Sequence, residues 1–454
     1  MSVMPKAPPE LPGGPTAESP VDRALALSLA DEKDTALRWA AAMVATDPAM
    51  ASGLLLTGRL LADLGRLEGA REALEICVTR AIDSGQLPLA VAACSDLRTL
   101  GVDAGKHFDA IAEAFSTGSP RLGEGGGLPP KLPHADDFHP LASVLTGPAL
   151  LGKATEIVHA AKRALDDEIA TREEPPVISA QPLFSSIGPA GLRAMIEVFE
   201  VSTVPQGTVV IEEGTGGAEA YIVARGELEV KRTLENGDKL LLARLTGGAL
   251  FGEMALLSRA PRAASVIAHR PSILLVGRKD ALDAVAEREP EVAIELANHC
   301  RRRMVQNLVR TSPILSAVQP EERPALVERF ETRVYEKGDK LISEGANPTG
   351  LHLIASGEVA VVRVEGDEPF VLATLGPGDI VGEVALVLRR SSSADVVAVH
   401  PTVTLHLATE QFMSLIREHP TILAELYELA VKRDDETRSI VAQETTSADD
   451  YVLV

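Results

Sequence analysis

The chain is poor in cysteine, in aromatic residues and in positive charge, and it has no long apolar run. Its three cysteines, Cys77, Cys94 and Cys300, stand far apart with no CxxC pair. Neither a disulfide framework nor a zinc site is indicated, and a reducing cytoplasm fits best. Only 3% of residues are aromatic, which leaves Ala, Leu, Val and Ile to build the cores. Lysine and arginine number 44 against 65 acidic residues, a formal net charge of −21. A surface that acidic repels phosphate backbones and anionic lipid, which argues against nucleic-acid and membrane-surface binding and requires a locally basic pocket for any small anion. No segment reaches the roughly 18 apolar residues of a membrane span, and the opening MSVMPKAPPELPGGPTAESP lacks the apolar stretch of a secretion signal. Nucleophile–base pairs and Walker loops are missing too, so no enzymatic activity is expected.

What remains is the profile of a multidomain globular protein, 45% hydrophobic and 24% charged over 454 residues. Residues 1–16, rich in Pro and Gly, read as a disordered leader. From 17 to 117 the sequence is rich in Ala and Leu with helical periodicity. Ala36 and Pro48 recur at Ala70 and Ile82, a period of 34 residues, and Asp31 recurs as Gly65 at a helix end. Small residues at such spacings let antiparallel helices approach closely, and the segment resembles a tetratricopeptide array of about three repeats. That resemblance implies a surface for a protein effector. Residues 118–181 open with GSPRLGEGGGLPPKLP and read as a linker with one helix near 148–172, leaving the array loosely tethered. His134, Asp136, Asp137 and His139 within it suit a solvated loop better than a metal site, and no metal is assigned.

A larger repeat follows. Pro182, Phe184, Ile187, Phe199, Gly207, Gly214 and Gly226 recur at Pro313, Leu315, Val318, Phe330, Gly338, Gly345 and Gly357, every offset being 131. In each copy alternating apolar residues and glycine-marked corners predict short strands, closed by a long helical segment. The expected architecture is N-terminal all-α repeats followed by two α+β domains, at 182–311 and 312–440, each a β-roll of jelly-roll type with flanking helices. An acidic tail spans 441–454, and its apolar end suits a carboxylate-capturing groove.

Inside the first roll lies FGEMALLSRAPRAASV, residues 251–266, which closely resembles the phosphate-binding cassette of cyclic-nucleotide-binding domains, as in kinase regulatory subunits and the catabolite activator protein. The chemistry agrees with the resemblance. Gly252 allows a sugar to approach the backbone, Ala255 offers an amide, and Arg262 supplies a planar, permanently charged fork for two phosphate oxygens. The resemblance further implies that Glu253 accepts the ribose 2′-hydroxyl, its charge offset by Arg262, and that Ala263, followed by Ala264, favours cyclic AMP over cyclic GMP. The alternative for Glu253 and Arg262 is a surface ion pair. Asn307, beside Leu308 on the closing helix, is placed to contact adenine or to face solvent.

The second copy reads VGEVALVLRRSSSADVV, residues 381–397. Gly382, Glu383 and Ala385 are retained, but Ser392 stands at the place of Arg262 and Asp395 at that of Ser265. A hydroxyl cannot neutralise a desolvated phosphate, so this site reads as degenerate, with a shifted Arg390 as the alternative clamp. RRSSS also resembles a basophilic kinase site. Too few residues follow for a DNA-reading helix-turn-helix. No basic pseudosubstrate such as RRxA precedes the first roll, so no kinase partner is implied. The reading is a cytoplasmic cyclic-nucleotide receptor without a cofactor, acting on a protein effector through the array. A ligand-independent scaffold and a regulatory subunit of a separate enzyme are its rivals.

Overall fold

The computed structural model describes residues 18–123, 134–233, 237–257, 261–311, 328–365 and 368–450, together with positions 319, 322 and 326. The leader and the apolar end of the tail lie outside the described residues. The helical region begins at α1 (Pro20–Leu29), where Ser19 and Asp22 form a reciprocal capping box: the Asp22 N–H donates to Ser19 Oγ at 3.2 Å and the Ser19 N–H to Asp22 Oδ2 at 3.0 Å. Five more helices follow, α2 (Lys33–Thr46), α3 (Ala51–Asp63), α4 (Leu67–Asp83), α5 (Leu87–Thr99) and α6 (Gly105–Phe115), each packed on its predecessor. At the turn after α1, Asp31 adopts a left-handed φ of +63°, where the next unit has Gly65 at +79°, so the periodic alignment located a true backbone equivalence. Close approach of α3 and α4 depends on Gly58, at which a Cβ would stand 2.8 Å from the Leu74 side chain.

The array is not loosely tethered. Helix α7 (Gly147–Thr171) lies against α2 and α4. Arg80 reaches Glu168 at 2.5 Å, and Arg121 and Arg172 both bind Asp83 at 2.8 Å, so the segment after the breakers returns to the array. The far side of the array abuts the first roll: Arg270 binds the buried Asp22 at 2.7 Å, Arg98 donates to the Glu197 carbonyl at 2.8 Å, and Arg59 bridges Asp96 and Thr203. One cluster of buried apolar side chains runs from Val21 through Leu97, Phe199 and Leu275 to Leu426. Residues 17–117 are therefore not an independent unit, because their apolar surface is shared with the roll.

The first roll follows helix α8 (Pro189–Glu197). Its strands are β1 (Glu200–Val204), β2 (Val209–Ile211), β3 (Glu219–Arg225), β4 (Leu228–Thr233), β5 (Lys239–Leu245), β6 (Leu250–Phe251), β7 (Ser265–Ala268) and β8 (Ser272–Arg278). They form two antiparallel sheets, ordered β1-β8-β3-β6 and β2-β7-β4-β5, with Val201 opposite Leu275 and Val230 opposite Val266. Ile211, Val223, Leu228, Phe251, Val266 and Leu274 meet between the sheets. The second roll repeats the plan with β9 (Glu331–Tyr335), β10 (Lys340–Ile342), β11 (Gly350–Ser356), β12 (Val359–Glu365), β13 (Glu368–Leu375), β14 (Ile380–Val381), β15 (Asp395–Ala398) and β16 (Thr402–Ala408), in sheets β9-β16-β11-β14 and β10-β15-β12-β13. The recurrent glycines have a steric cause at one pair of corners. Gly226 and Gly357 have φ of +114° and +85°, and a Cβ at either would collide with Ser272 or Thr402 of the crossing chain.

Each closing segment is two helices rather than one, broken before a proline that cannot donate into a continuing helix. These are α10 (Lys279–Arg288) and α11 (Pro290–Thr311) in the first domain. After the cassette helices α9 (Met254–Leu257) and α12 (Glu383–Val387), the second domain closes with α13 (Thr409–Glu418) and α14 (Pro420–Asp450). The last helix continues to Asp450, so most of the expected tail is helical.

A histidine pair lies buried in the second roll. His352 and His406 have ring centroids 4.6 Å apart, with Tyr335 edge-on to His352 and Thr404 Oγ1 3.2 Å from its Nδ1. Burial pushes His352 down to about 3, with His406 and Arg333 adding in the same direction. The unfolded residue takes up its proton near pH 6.5, so between about 6.5 and 3 the unfolded chain binds more protons and stability falls as pH drops. Urea melts from pH 7 to 5 should show this loss, at most about 1.4 kcal/mol per pH unit for one proton. His352→Asn should remove about one proton's share of the slope.

Candidate functional site

Strand β6 delivers the chain into the cassette at Gly252, whose φ of +72° is left-handed. A Cβ there would stand 3.0 Å from the Arg262 guanidinium and 3.1 Å from the Glu219 carbonyl, so the glycine is required first by the arginine beside it. Arg262 is 8% exposed in its side chain. Its Nη1 donates to the Gly252 carbonyl and its Nη2 to the Glu219 carbonyl, both at 2.9 Å, and the Glu219 carboxylate lies 3.7 Å away. Gly217 makes room on the other side, since a Cβ would meet Nη2 at 2.5 Å. Two backbone carbonyls thus hold a cation at the roll wall in the geometry of a fork, which an anion's oxygens can engage.

Glu253 is 5% exposed. Its carboxylate faces Arg303 of α11 at 3.6 Å, and Arg303 Nη2 donates to the Leu250 carbonyl at 3.4 Å. Burial raises the Glu253 carboxyl above the ordinary range, and Arg303 opposes that rise. Arg262 contributes to that opposition as expected, but the principal countercharge comes from Arg303 of the closing helix, and Arg262 itself lies against Glu219. A correction concerns Ala255, whose N–H donates to the Gly252 carbonyl at 3.2 Å within the cassette turn. Ala263 is exposed and Ala264 half-buried. Ser258, Arg259 and Ala260 lie outside the described residues, as do the side chains of Asn307 and Leu308. His134 caps a short turn by accepting from the Asp136 N–H at 3.1 Å. Among the described residues no group of three His, Cys, Asp or Glu could hold a metal, and no helix is long and apolar enough to cross a membrane.

The second roll reproduces this frame. The Gly214 N–H donates to the Arg262 carbonyl and the Arg262 N–H to that of Thr215. In the second copy Gly345 donates to Ser392 and Ser392 to Ala346. These matched bonds place Ser392 at the position of Arg262. Gly382 is left-handed at +93°, Ala385 is buried, and Glu383, 1% exposed, binds Arg433 of α14 at 2.6 Å while Arg433 also donates to the Ile380 carbonyl at 2.5 Å. Arg390, the alternative clamp, pairs with Asp434 of α14. Asp395 accepts the Glu344 N–H at 2.8 Å, as Ser265 Oγ accepts that of Glu213 at 3.0 Å. That replacement preserves a loop-to-strand bond and says nothing about the ligand.

Residues 201–289 and 332–419 each match the cyclic nucleotide-binding domain. The chain carries two cyclic nucleotide-binding domains. Among curated relatives, the cAMP-dependent protein kinase regulatory subunit of Yarrowia lipolytica is 31% identical over 53% of this chain and 60% of its own length. The type II regulatory subunit of Drosophila melanogaster is 30% identical over 49% of this chain and 56% of its own. The chain spans about half the length of the curated relatives it matches. A co-crystal structure of the regulatory domain of Toxoplasma gondii PKA with cAMP is 24% identical over 55% of this chain and 92% of that one, with a TM-score of 0.28.

Sequence reasoning missed Arg303 and Arg433, the arginines that neutralise the two buried carboxylates. The signal was present, because Leu250, Glu253 and Arg303 recur together at Ile380, Glu383 and Arg433 with a common offset of 130. It goes unseen when the helix is read only for periodicity. Removing this cation by Arg303→Ala strands a buried carboxylate and should cost about 1–3 kcal/mol in chemical denaturation. The double variant Arg303→Ala/Glu253→Gln should cost less than the sum of the single changes, since the glutamine leaves no charge to strand.

Proposed function

We propose that the chain is a cyclic-nucleotide receptor that takes cyclic AMP in its first roll and acts on a protein effector without chemistry of its own. The observation that carries this reading is that a backbone-held Arg262 donates to the carbonyl of Gly252, the residue next to a buried Glu253. Arg262 offers a cation to a cyclic phosphate and Glu253 an acceptor to a ribose hydroxyl. Ala263, where a Thr or Ser would favour cyclic GMP, supports cyclic AMP, as do relatives named cAMP-dependent protein kinase regulatory subunits. Those names also favour a second reading, in which the effector is a separate enzyme and this chain its regulatory subunit.

Coupling has a physical route. Glu253 is held by Arg303 of the closing helix, so a ligand hydroxyl that competes for the carboxylate biases where that helix packs. The ligand shifts the helix only in so far as it binds one arrangement better than the other. The first roll shares its core with the helical region, which makes the repeat array, read as tetratricopeptide-like, the surface presented to the effector. The protein works in the cytoplasm on this reading and binds neither nucleic acid nor membrane.

Calorimetry on the intact chain tests the assignment. Cyclic AMP should bind more tightly than cyclic GMP with one site per chain, and Arg262→Ala should weaken it by about 2–5 kcal/mol. No saturable heat at millimolar cyclic AMP, or an Arg262→Ala variant of unchanged affinity, would overturn it. Two sites per chain, the second lost on changing Arg390, would restore the shifted clamp.

A further inference from the structure

The second roll and its closing helix border a half-open cavity of about 400 Å³, within the roughly 300–1,000 Å³ of small-molecule sites. Ile342, Val361, Val381 and Val396 give it apolar walls, and Gly382 and Ala394 keep them low. At its polar end stands Glu383, held by Arg433 through Oε1. Burial raises the Glu383 carboxyl above the ordinary range and Arg433 opposes that rise; a carboxylate has about four acceptor positions, so this one retains capacity for a ligand hydroxyl. The frame that orients it repeats the plan of the first roll, an arginine of the closing helix against the carboxylate and the carbonyl three residues before it.

What differs is the charge available to an anion. Ser392 occupies the position of the clamp, and Arg390 is committed to Asp434. Arg433 is engaged by Glu383 and the Ile380 carbonyl. Asp434 and Glu436, paired with Arg390 and Lys432, line the same cavity and add no positive charge to it. A buried phosphate here would lack a matched cation, which is strongly unfavourable, whereas an uncharged sugar bearing a flat ring meets an acceptor and apolar walls with nothing left unpaired.

We propose that the second roll binds an uncharged ribonucleoside rather than a cyclic nucleotide. The cavity has thus kept its sugar acceptor and exchanged its anion site for neutrality, and the two rolls of one chain answer to different ligands. The proposal rests on the reading of Glu253 as a ribose acceptor in the first roll, and the test separates the two.

The intact chain is titrated by calorimetry with adenosine, guanosine and cyclic AMP. At least one nucleoside should bind at one site per chain. Its affinity should fall at least tenfold in Glu383→Gln and be lost in Ala394→Trp, which fills the cavity. Cyclic AMP binding to the first roll should persist in both variants, which shows that the chain is folded. Arg262→Ala should weaken cyclic AMP binding and leave the nucleoside signal in place. Conversely, Ser392→Arg should strengthen cyclic AMP at the second roll at least tenfold, a gain that misfolding cannot mimic. The proposal is overturned if neither nucleoside saturates at millimolar concentration. It is also overturned if binding survives both Glu383→Gln and Ala394→Trp, or if cyclic AMP displaces the nucleoside from the wild-type second roll with equal affinity. Loss of cyclic AMP binding alone would defeat the receptor reading and leave this one standing.

Discussion

A carboxylate buried in a protein interior stays ionised only with a cation against it, and in each roll that requirement joins the cassette to the closing helix. Glu253 needs Arg303 and Glu383 needs Arg433. The same two arginines reach the carbonyls of Leu250 and Ile380, so the strand entering the cassette, the cassette and the helix are held by one group. The position of the helix is thereby tied to the charge state and partners of a single side chain.

The duplication separates what the scaffold needs from what a ligand needs. The left-handed glycines, the strand orders, the carboxylate–arginine pair and the tie from Ser265 or Asp395 to the neighbouring loop are common to both copies. All of them position the backbone. The cation at 262 is common to neither the fold nor the frame: Ser392 carries the same backbone bonds without it. The two copies therefore share a frame and differ in side-chain charge at one position, a guanidinium at 262 and a hydroxyl at 392.

The helical region contributes through its contact with the first roll. Asp22, which caps α1 together with Ser19, also binds Arg270 and Arg225 from the roll. One buried residue thus serves the start of the array and the seam at once. Because the apolar core continues across this seam, a displacement of the roll's elements has a packed surface on which to act.

Periodicity and spacing determined a great deal by themselves. The offset of 131 located both rolls because glycine at a left-handed corner, as at Gly226 and Gly357, answers to local backbone geometry. The cassette string located Gly252, Glu253 and Arg262 because those residues lie within a few positions of one another. The equivalence of Asp31 and Gly65 came through for the same local reason. Partners distant in the chain were decided only by tertiary structure. Arg303 meets Glu253 after a run of fifty residues, Glu219 meets Arg262 across strands, and Asp22 meets Arg270 from the opposite end of the helical region. Composition marked 118–181 as a linker, yet part-buried ion pairs of Arg80, Arg121 and Arg172 fasten it to the array. The sequence encodes each local conformation in adjacent residues, whereas the choice of countercharge for a buried group depends on which surfaces the fold brings together.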